Sequence, residues 1–599
     1  MSKKNIVIIA CITIVCCFTM AMRKPEPTVL DKIRPYILVQ IDSSILVLQK
    51  IANGQLSMPK LKEAYNTARK HYKHIEFFVE YVSPIEAKYN INGALVSKYD
   101  IDVSNEVINA NGFQKIESIL YAPKNLLPDK DQIALTVKDL SLALTRLRSY
   151  YSHIVIDAAV LAETMQIELY RIVALNLNGY DATINKTGIA ESAACIMGLQ
   201  QLLTAFLPQD GKAIAEYKIV QKLLQEAKNA LVSSPDYDGF DRLNFIAKYI
   251  NPLNQRIIIW HNKTGIGWSK KKQALNLQQP FLFSEAALNK NYFSIYFTDT
   301  LNHQLQAQLG KQLFNDQSFS SNKKISCASC HQENKAFADG LHTAMGFQQQ
   351  VLERNTPTLL NVVYQKAFFA DGRVYQLEQQ SADVLHNKLE MGADINKMKE
   401  LLQQNNSYCK LFKHAFMGSP DTTITDYSIF KAIAAYQQTL TTFNTRFDYY
   451  LQGKTSALTA NEINGYNLFA GKALCGSCHF MPLFNGTTPP FFNESEFEII
   501  GTSALPDNKN LDKDLGRYAI TNADVHRYAF KTPTLRNISK TAPYMHNGVF
   551  KTLNEVIEFY HKGGGKGFGY EVPNQTLPFD SLQLNASEKL NIIAFLKTL

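Results

Sequence analysis

The sequence predicts a mainly α-helical protein: an N-terminal helical bundle followed by two smaller domains whose cores need something besides side chains to fill them. Three observations carry that prediction. From about Leu30 to Asn251 apolar residues recur at spacings of three and four, with almost no strand alternation. From about Pro280 onward short helical segments alternate with loops rich in Gly, Pro and Asn, an arrangement that leaves a core underfilled. The composition, 46% apolar and 19% charged over 599 residues, is that of a folded, water-soluble chain and excludes wholesale disorder and a polytopic membrane protein. Lys plus Arg number 62 against 53 Asp plus Glu, a net +9 spread too thinly for a nucleic-acid footprint. Length alone suggests about four domains; the patterns below give three.

The chain opens with Lys3 and Lys4, runs apolar from Ile6 to Met22, and turns polar at Arg23-Lys24-Pro25. Residues 1–22 therefore read as a secretory signal with a cleavage site at Thr19-Met20-Ala21. The alternative is an uncleaved membrane anchor, since the run approaches the length of a bilayer span; a lipoprotein variant through Ile8-Ile9-Ala10-Cys11 is a third reading. Each of them exports the body of the protein, giving a periplasmic location.

Residues 28–252 form the helical domain. In Ala213–Val232 the residues Ala213, Tyr217, Val220, Leu224, Ala227 and Leu231 make one apolar stripe, stopped by Ser233-Ser234-Pro235. Ile133 to Leu175 repeats the pattern through Leu140, Leu144 and Leu147, and a bundle is the economical arrangement. The basic run from Lys60 to His74 reads as a solvated helix face. Residues 253–282, opened by Pro252 and containing Gly265, Gly267 and Lys270-Lys271-Lys272, read as a linker; it holds both tryptophans, Trp260 and Trp268. Residues 283–450 and 451–599 are the two smaller domains. The last helix has Asn585 as its cap, Glu588 three positions on, and Leu590, Ile593, Ala594 and Leu596 as its apolar face.

Nine cysteines are too few for a disulfide scaffold in so long a chain. Cys11, Cys16 and Cys17 lie in the export segment, leaving six. Four of these form two copies of one pattern, Cys327-Ala328-Ser329-Cys330-His331 and Cys475-Gly476-Ser477-Cys478-His479. Two thiols three positions apart can make thioethers to the vinyl groups of one haem, and the following histidine turns its imidazole onto the iron. A redox dithiol or half a zinc site explains neither histidine. The reading is two covalently bound haems c, with His331 and His479 as proximal iron ligands. Cys195 and Cys409 are single and read as buried thiols.

The residues around these motifs carry a resemblance. After the first come Phe337-Ala338-Asp339-Gly340, Arg354-Asn355-Thr356-Pro357-Thr358-Leu359, Phe368-Phe369-Ala370-Asp371-Gly372-Arg373, Leu377-Glu378-Gln379-Gln380 and Leu389-Glu390-Met391. After the second come Leu515-Gly516-Arg517-Tyr518, Thr532-Pro533-Thr534-Leu535-Arg536-Asn537 and Thr541-Ala542-Pro543-Tyr544-Met545-His546. In this order, from about Phe283 to Leu599, the chain resembles the bacterial dihaem cytochrome c peroxidases, which include the MauG-type enzymes. The resemblance implies two cytochrome c-like domains, a peroxidatic haem on His331 and an electron-transfer haem on His479. It implies Glu390 as the distal acid that moves a proton between peroxide oxygens, Gln380 as an amide that positions the peroxide, and His546 beside the second haem. It also implies a calcium ion between the domains, held by Asn355 and the carbonyls of Thr541 and Pro543.

Three positions depart from the pattern. Phe347 stands where a removable histidine ligand would follow Gly346, so the first haem is expected to need no reductive activation, with His342 or His386 as the substitute ligand to consider. Tyr560 stands where a methionine would bind the second iron, a substitution shared with the MauG-type enzymes; the alternative is that Tyr560 packs in the core and His561 binds. Ala370 stands where a tryptophan would lie between the haems, leaving Phe369, Tyr375 or the haem edges to carry electrons.

The expected activity is reduction of hydrogen peroxide with electrons from a small cytochrome c, a copper protein or quinol. The alternatives are MauG-like oxidation of a protein or organic substrate through high-valent haem, and a non-enzymatic electron-transfer or redox-sensing cytochrome. A homodimer is a further expectation; nucleic acid is not an expected partner, and membrane contact is expected only through the N-terminal anchor. In the first half, Leu61 to Phe77 and Gly112-Phe113-Gln114-Lys115-Ile116-Glu117 resemble the imelysin-type helical domains. Gln114 replaces that family's metal-binding histidine, which favours a scaffold or docking role, since an amide is a poor transition-metal ligand.

Overall fold

The computed structural model describes residues 27–93, 97–100, 106–122, 129–207, 211–294, 301–417, 424–578 and 580–599. The segment 1–22, with its signal or anchor and three cysteines, lies outside them. Among the described residues no helix is long and apolar enough to cross a membrane.

The first half is helical, as its periodicity requires. Helix α1 (Val29–Ala52) starts at a reciprocal Thr28/Asp31 capping box and buries Ile33, Ile37, Ile41, Leu48 and Ile51 along one stripe. It packs beside α2 (Met58–Lys73), which leads into α3 (Glu76–Val82) and α4 (Gly112–Leu120). The stretch from Ile133 to Leu175 is two helices, α5 (Lys130–Tyr151) and α6 (Ala158–Arg171), separated by a turn and restarted by the Asp157 cap. Every residue of α6 from Leu161 to Arg171 is buried, so it runs through the middle of the bundle. The bundle is completed by α7 (Gly188–Ala205), α8 (Gly211–Ser233) and α9 (Asn251–Thr264); α8 packs on both α7 and α9, and α9 on α6. All six residues of the stripe expected in α8 are buried.

Two sequence expectations are corrected here. Much of the segment read as a linker is packed structure: α9 occupies its first part, Trp260 is completely buried, and Leu275, Leu277 and Leu282 join the core. Pro252 does not break the chain here, because proline in the first helical turn costs no hydrogen bond, and Leu253, Ile257 and Trp260 then keep helical spacing. The basic face of α2 is only partly solvated. Lys60 and Lys70 are exposed, but Arg69, Lys73 and His74 are buried, the first two among carboxylates.

The second half has two helical cores. In the first, α10 (Leu301–Asn315) crosses α11 (Asp426–Gln438), and in the second α12 (Ala460–Ala470) crosses α13 (Ala586–Leu596). The crossings use the same device. A Cβ on Gly310 would collide with the Ala432 carbonyl, and one on Gly465 with the Asn591 carbonyl, so only glycine allows such close helices. Helix α13 carries the expected Asn585/Glu588 capping box. The cluster that includes Leu309, Phe314, Leu402, Ile429 and Tyr436 is separate. The bundle's core, in contrast, runs without a break into Phe447, Tyr466, Phe484 and Phe595 of the second motif's half. Tyr170 on α6 joins the two, packing on Phe283 at 4.6 Å between ring centroids and donating to the Met481 carbonyl.

Candidate active site

Both Cys-x-x-Cys-His motifs open onto one cavity of about 1320 Å³, more than the 300–1,000 Å³ usual for a single ligand pocket. Its wall includes Cys327, Cys330 and His331 at one end and Cys475, Cys478 and His479 at the other. All four thiols are free rather than paired as disulfides. His331 Nδ1 lies 3.0 Å from the Phe337 carbonyl, and His479 Nδ1 lies 3.1 Å from the Phe484 carbonyl and 3.2 Å from that of Pro533. A proton held on Nδ1 by a carbonyl leaves Nε2 as the free lone pair, the state in which histidine binds a metal. Burial favours the neutral ring at both positions, lowering His479 to about 4. Paired thiols, an oriented neutral imidazole and an oversized, largely apolar cavity fit a covalently held haem at each end.

At the first end, Glu390 and Gln380 both line the cavity. Glu390 sits in the turn after the helix Leu377–His386, and Asn387 Nδ2 donates to its Oε1 at 2.8 Å. Burial pushes the Glu390 carboxyl above the ordinary range, opposed by the Arg373 charge and by the Asn387 hydrogen bond. The nitrogen Nε2 of Gln437 lies 3.4 Å from Gln380 Oε1. Phe347, His342 and His386 are not among the lining residues. Instead the Phe347 amide donates to the Leu389 carbonyl, His342 Nδ1 lies 2.9 Å from the Gly548 carbonyl, and His386 Nδ1 lies 2.7 Å from the Ala382 carbonyl.

At the second end Tyr560 lines the cavity and His561 does not. Tyr560 is near the C-terminus of the helix Leu553–His561, and burial raises its phenol well above the usual value, with the two motif thiols adding to the shift. His546 lines the wall too, stacked on Phe530 at 3.7 Å between centroids, with Nε2 3.5 Å from Asp512 Oδ1.

Phe369, Ala370 and Tyr375 also line the cavity. The Arg373 guanidinium covers the Phe369 ring at 3.4 Å, and Arg517 donates to Tyr375 Oη at 2.9 Å and to the carbonyls of Asp371 and Gly372. Arg354 bridges the two haem-motif regions, bonding Asp371 at 2.6 Å and Asp514 at 2.7 and 3.1 Å. Asn355, Thr541 and Pro543 each line the cavity as well, and the Asn355 amide nitrogen donates to the Leu341 carbonyl.

Sequence reasoning missed several wall residues. Lys531 is held at 2.8 Å from Gln365 Oε1, and burial lowers it to about 8. Gln114, Lys115, Tyr180 and Thr183 come from the N-terminal bundle, whose Asn178 packs against Gly476 inside the second motif. Gln114, singled out only as an imelysin-like position, donates to the Tyr180 carbonyl. No local pattern marks these residues, since the fold brings them to the cavity from far along the chain. Cys195 is buried as expected, while Cys409 is only partly so.

A family model described as di-haem cytochrome c peroxidase matches residues 304–456. The cytochrome-c peroxidase IdrP2 of Denitromonas iodatirespirans is 34% identical over 308 residues, covering 49% of this chain and 80% of that protein. The methylamine utilization protein MauG of Methylorubrum extorquens is 34% identical over 291 residues, covering 49% and 77%. The cytochrome c551 peroxidase of Nitrosomonas europaea is 35% identical over 293 residues, covering 49% and 79%. Among solved structures, a MauG-like protein associated with microbial copper homeostasis matches at 30% identity and a TM-score of 0.45, covering 49% of this chain and 89% of that one. Through about half of its length, the chain belongs to the di-haem cytochrome c peroxidase family.

Proposed function

We propose that the protein is an exported di-haem peroxidase that reduces hydrogen peroxide to water in the periplasm, with electrons from a small cytochrome c or a similar carrier. The observation that carries this reading is the first end of the cavity, where Glu390 and Gln380 share a wall with Cys327, Cys330 and His331 while His342 and His386 stay outside it. The haems, when bound, supply the iron that takes up peroxide and the path for its two electrons. Glu390 accepts a proton from one peroxide oxygen and returns it to the other, so that cleavage of the O–O bond leaves water. Two protons and two electrons per peroxide balance the formation of two waters. Arg373 and Asn387 favour the ionised carboxylate and so partly offset its burial, and Gln380 orients the substrate. Phe347 cannot bind iron, so the first site is ready for peroxide without prior reduction. We assign Tyr560 as the distal ligand of the second haem, and a calcium ion to Asn355 with the carbonyls of Thr541 and Pro543, oxygen donors of the kind that ion takes.

The test is to mix the holoprotein with peroxide and a reduced carrier while following turnover and the haem spectrum. Rapid multiple turnover is expected. A long-lived oxidised species without turnover would favour MauG-like oxidation of another substrate, a reading to which Tyr560 lends support. Inertness would leave only an electron carrier.

A further inference from the structure

Deep in the N-terminal bundle, Glu76 on α3, Glu168 on α6 and Cys195 on α7 present ligand atoms that all lie within 4.8 Å of one another, and all three residues are buried. Cys195 Sγ is 3.2 Å from Glu76 Oε2. Neither oxygen of Glu168 has a hydrogen bond of good geometry, although the side chain is fully enclosed and the Cys195 thiol lies beside it. Arg171 Nε stands 3.8 Å from Glu168 Oε2, beyond hydrogen-bonding range, and is itself unpartnered. An enclosed carboxyl group without a good hydrogen bond is costly, and this one points at a second carboxylate and a thiol.

We propose that Glu76, Glu168 and Cys195 form a binding site for a zinc-class divalent cation, separate from the haem cavity. Tetrahedral zinc bound to oxygen at about 2.0 Å and sulfur at about 2.3 Å sets its ligand atoms roughly 3.3–3.8 Å apart, which small side-chain rotations reach from the observed spacing. One thiolate with two carboxylates is a borderline donor set, softer than calcium or magnesium takes and suited to zinc. The charge around it fits as well. Glu76, Glu80, Glu168, Asp181 and Glu191 face the cations Arg69, Lys73 and Arg171, leaving positive charge in deficit. Glu76 gives Oε1 to Lys73 and Arg171 and keeps Oε2 for the metal. The ordinary α-helix gives way to a π-helical segment at Ile172–Asn176, a local feature that often marks functional positions, and it brings Asn176 Nδ2 to 3.4 Å from Cys195 Sγ. Three protein ligands leave one coordination position for a small donor such as water.

The test uses full-length protein from zinc-supplemented culture, purified with both haems attached so that the four motif thiols are taken. Elemental analysis should give about one zinc per chain, and X-ray absorption at the zinc edge should show one sulfur neighbour at about 2.3 Å. Cys195→Ser should remove the sulfur neighbour, and Glu168→Gln should lower zinc retention at least tenfold, with haem content unchanged as the check on folding. Haem-loaded wild-type protein without stoichiometric zinc overturns the proposal. So does zinc with nitrogen and oxygen neighbours alone, or a sulfur neighbour that survives in Cys195→Ser. The wild-type spectrum decides even if the variants fail to fold.

Discussion

Replacing Asn387 with alanine should move the acid side of the activity profile upward by about one pH unit. Asn387 Nδ2 donates to Glu390 Oε1 at 2.8 Å, a contact that favours the ionised carboxylate, while burial favours the protonated form. A hydrogen bond to a charged group is worth ~1.5 kcal/mol at the lower end, and about 1.4 kcal/mol corresponds to one pKa unit. Loss of the contact therefore raises the Glu390 pKa by about one unit. The base form takes the proton, so activity falls as pH falls through that value. Well below both values the variant should turn over about tenfold more slowly; well above both it should match the parent, because each carboxyl is then ionised. The assay is steady-state peroxide turnover with a reduced cytochrome c donor across the pH range, with haem absorbance confirming that both cofactors are in place. Glu390→Gln provides the limit, with a loss of ~100- to 10,000-fold in rate and no acid limb from this group. An acid limb that stays in place in Asn387→Ala, or moves to lower pH, would refute the reasoning.

Two further outcomes rest on separate features. Tyr560→Phe should change the visible spectrum of one haem and leave the other alone, whereas His561→Ala should change neither, because only Tyr560 lines the cavity. Asp448→Ala should destabilise the protein by about 3–5 kcal/mol in chemical denaturation, because it strands the fully buried Arg536 guanidinium that Asp448 holds at 2.7 and 3.0 Å.

Features that were legible in the sequence are those written locally. The haem motifs place their thiols and histidine within five residues of chain, the stripe from Ala213 to Leu231 keeps its helical spacing, and the Asn585/Glu588 box spans four residues. Glu390 was legible only through the order of motifs around it, and its partner Asn387 escaped notice although it is three residues away, because nothing in Asn-Lys-Leu-Glu announces a tuned carboxylate. The ion network of Arg69, Lys73, Arg171, Glu76 and Asp181 could not be read at all. Arg69 and Lys73 look like the solvated face of an ordinary helix until Glu76 on α3, with Asp181 and Glu191 from farther along the chain, closes over them. The packed part of the expected linker failed for a different reason: Pro252 and two glycines signal a break, yet proline opens α9 and Gly265, with φ +74°, ends it.

The bundle lies directly on the second motif. Asn178 fills the space beside Gly476, Arg242 crowds Gly471, and Tyr237 donates to the Ala470 carbonyl. In chain order the bundle comes first, so it is made and can fold before Cys475 and Cys478 exist. Because these contacts reach Gly471 and Gly476 on either side of Cys475, a change on the bundle face at Asn178, Tyr237 or Arg242 acts on the second haem motif as well as on the bundle.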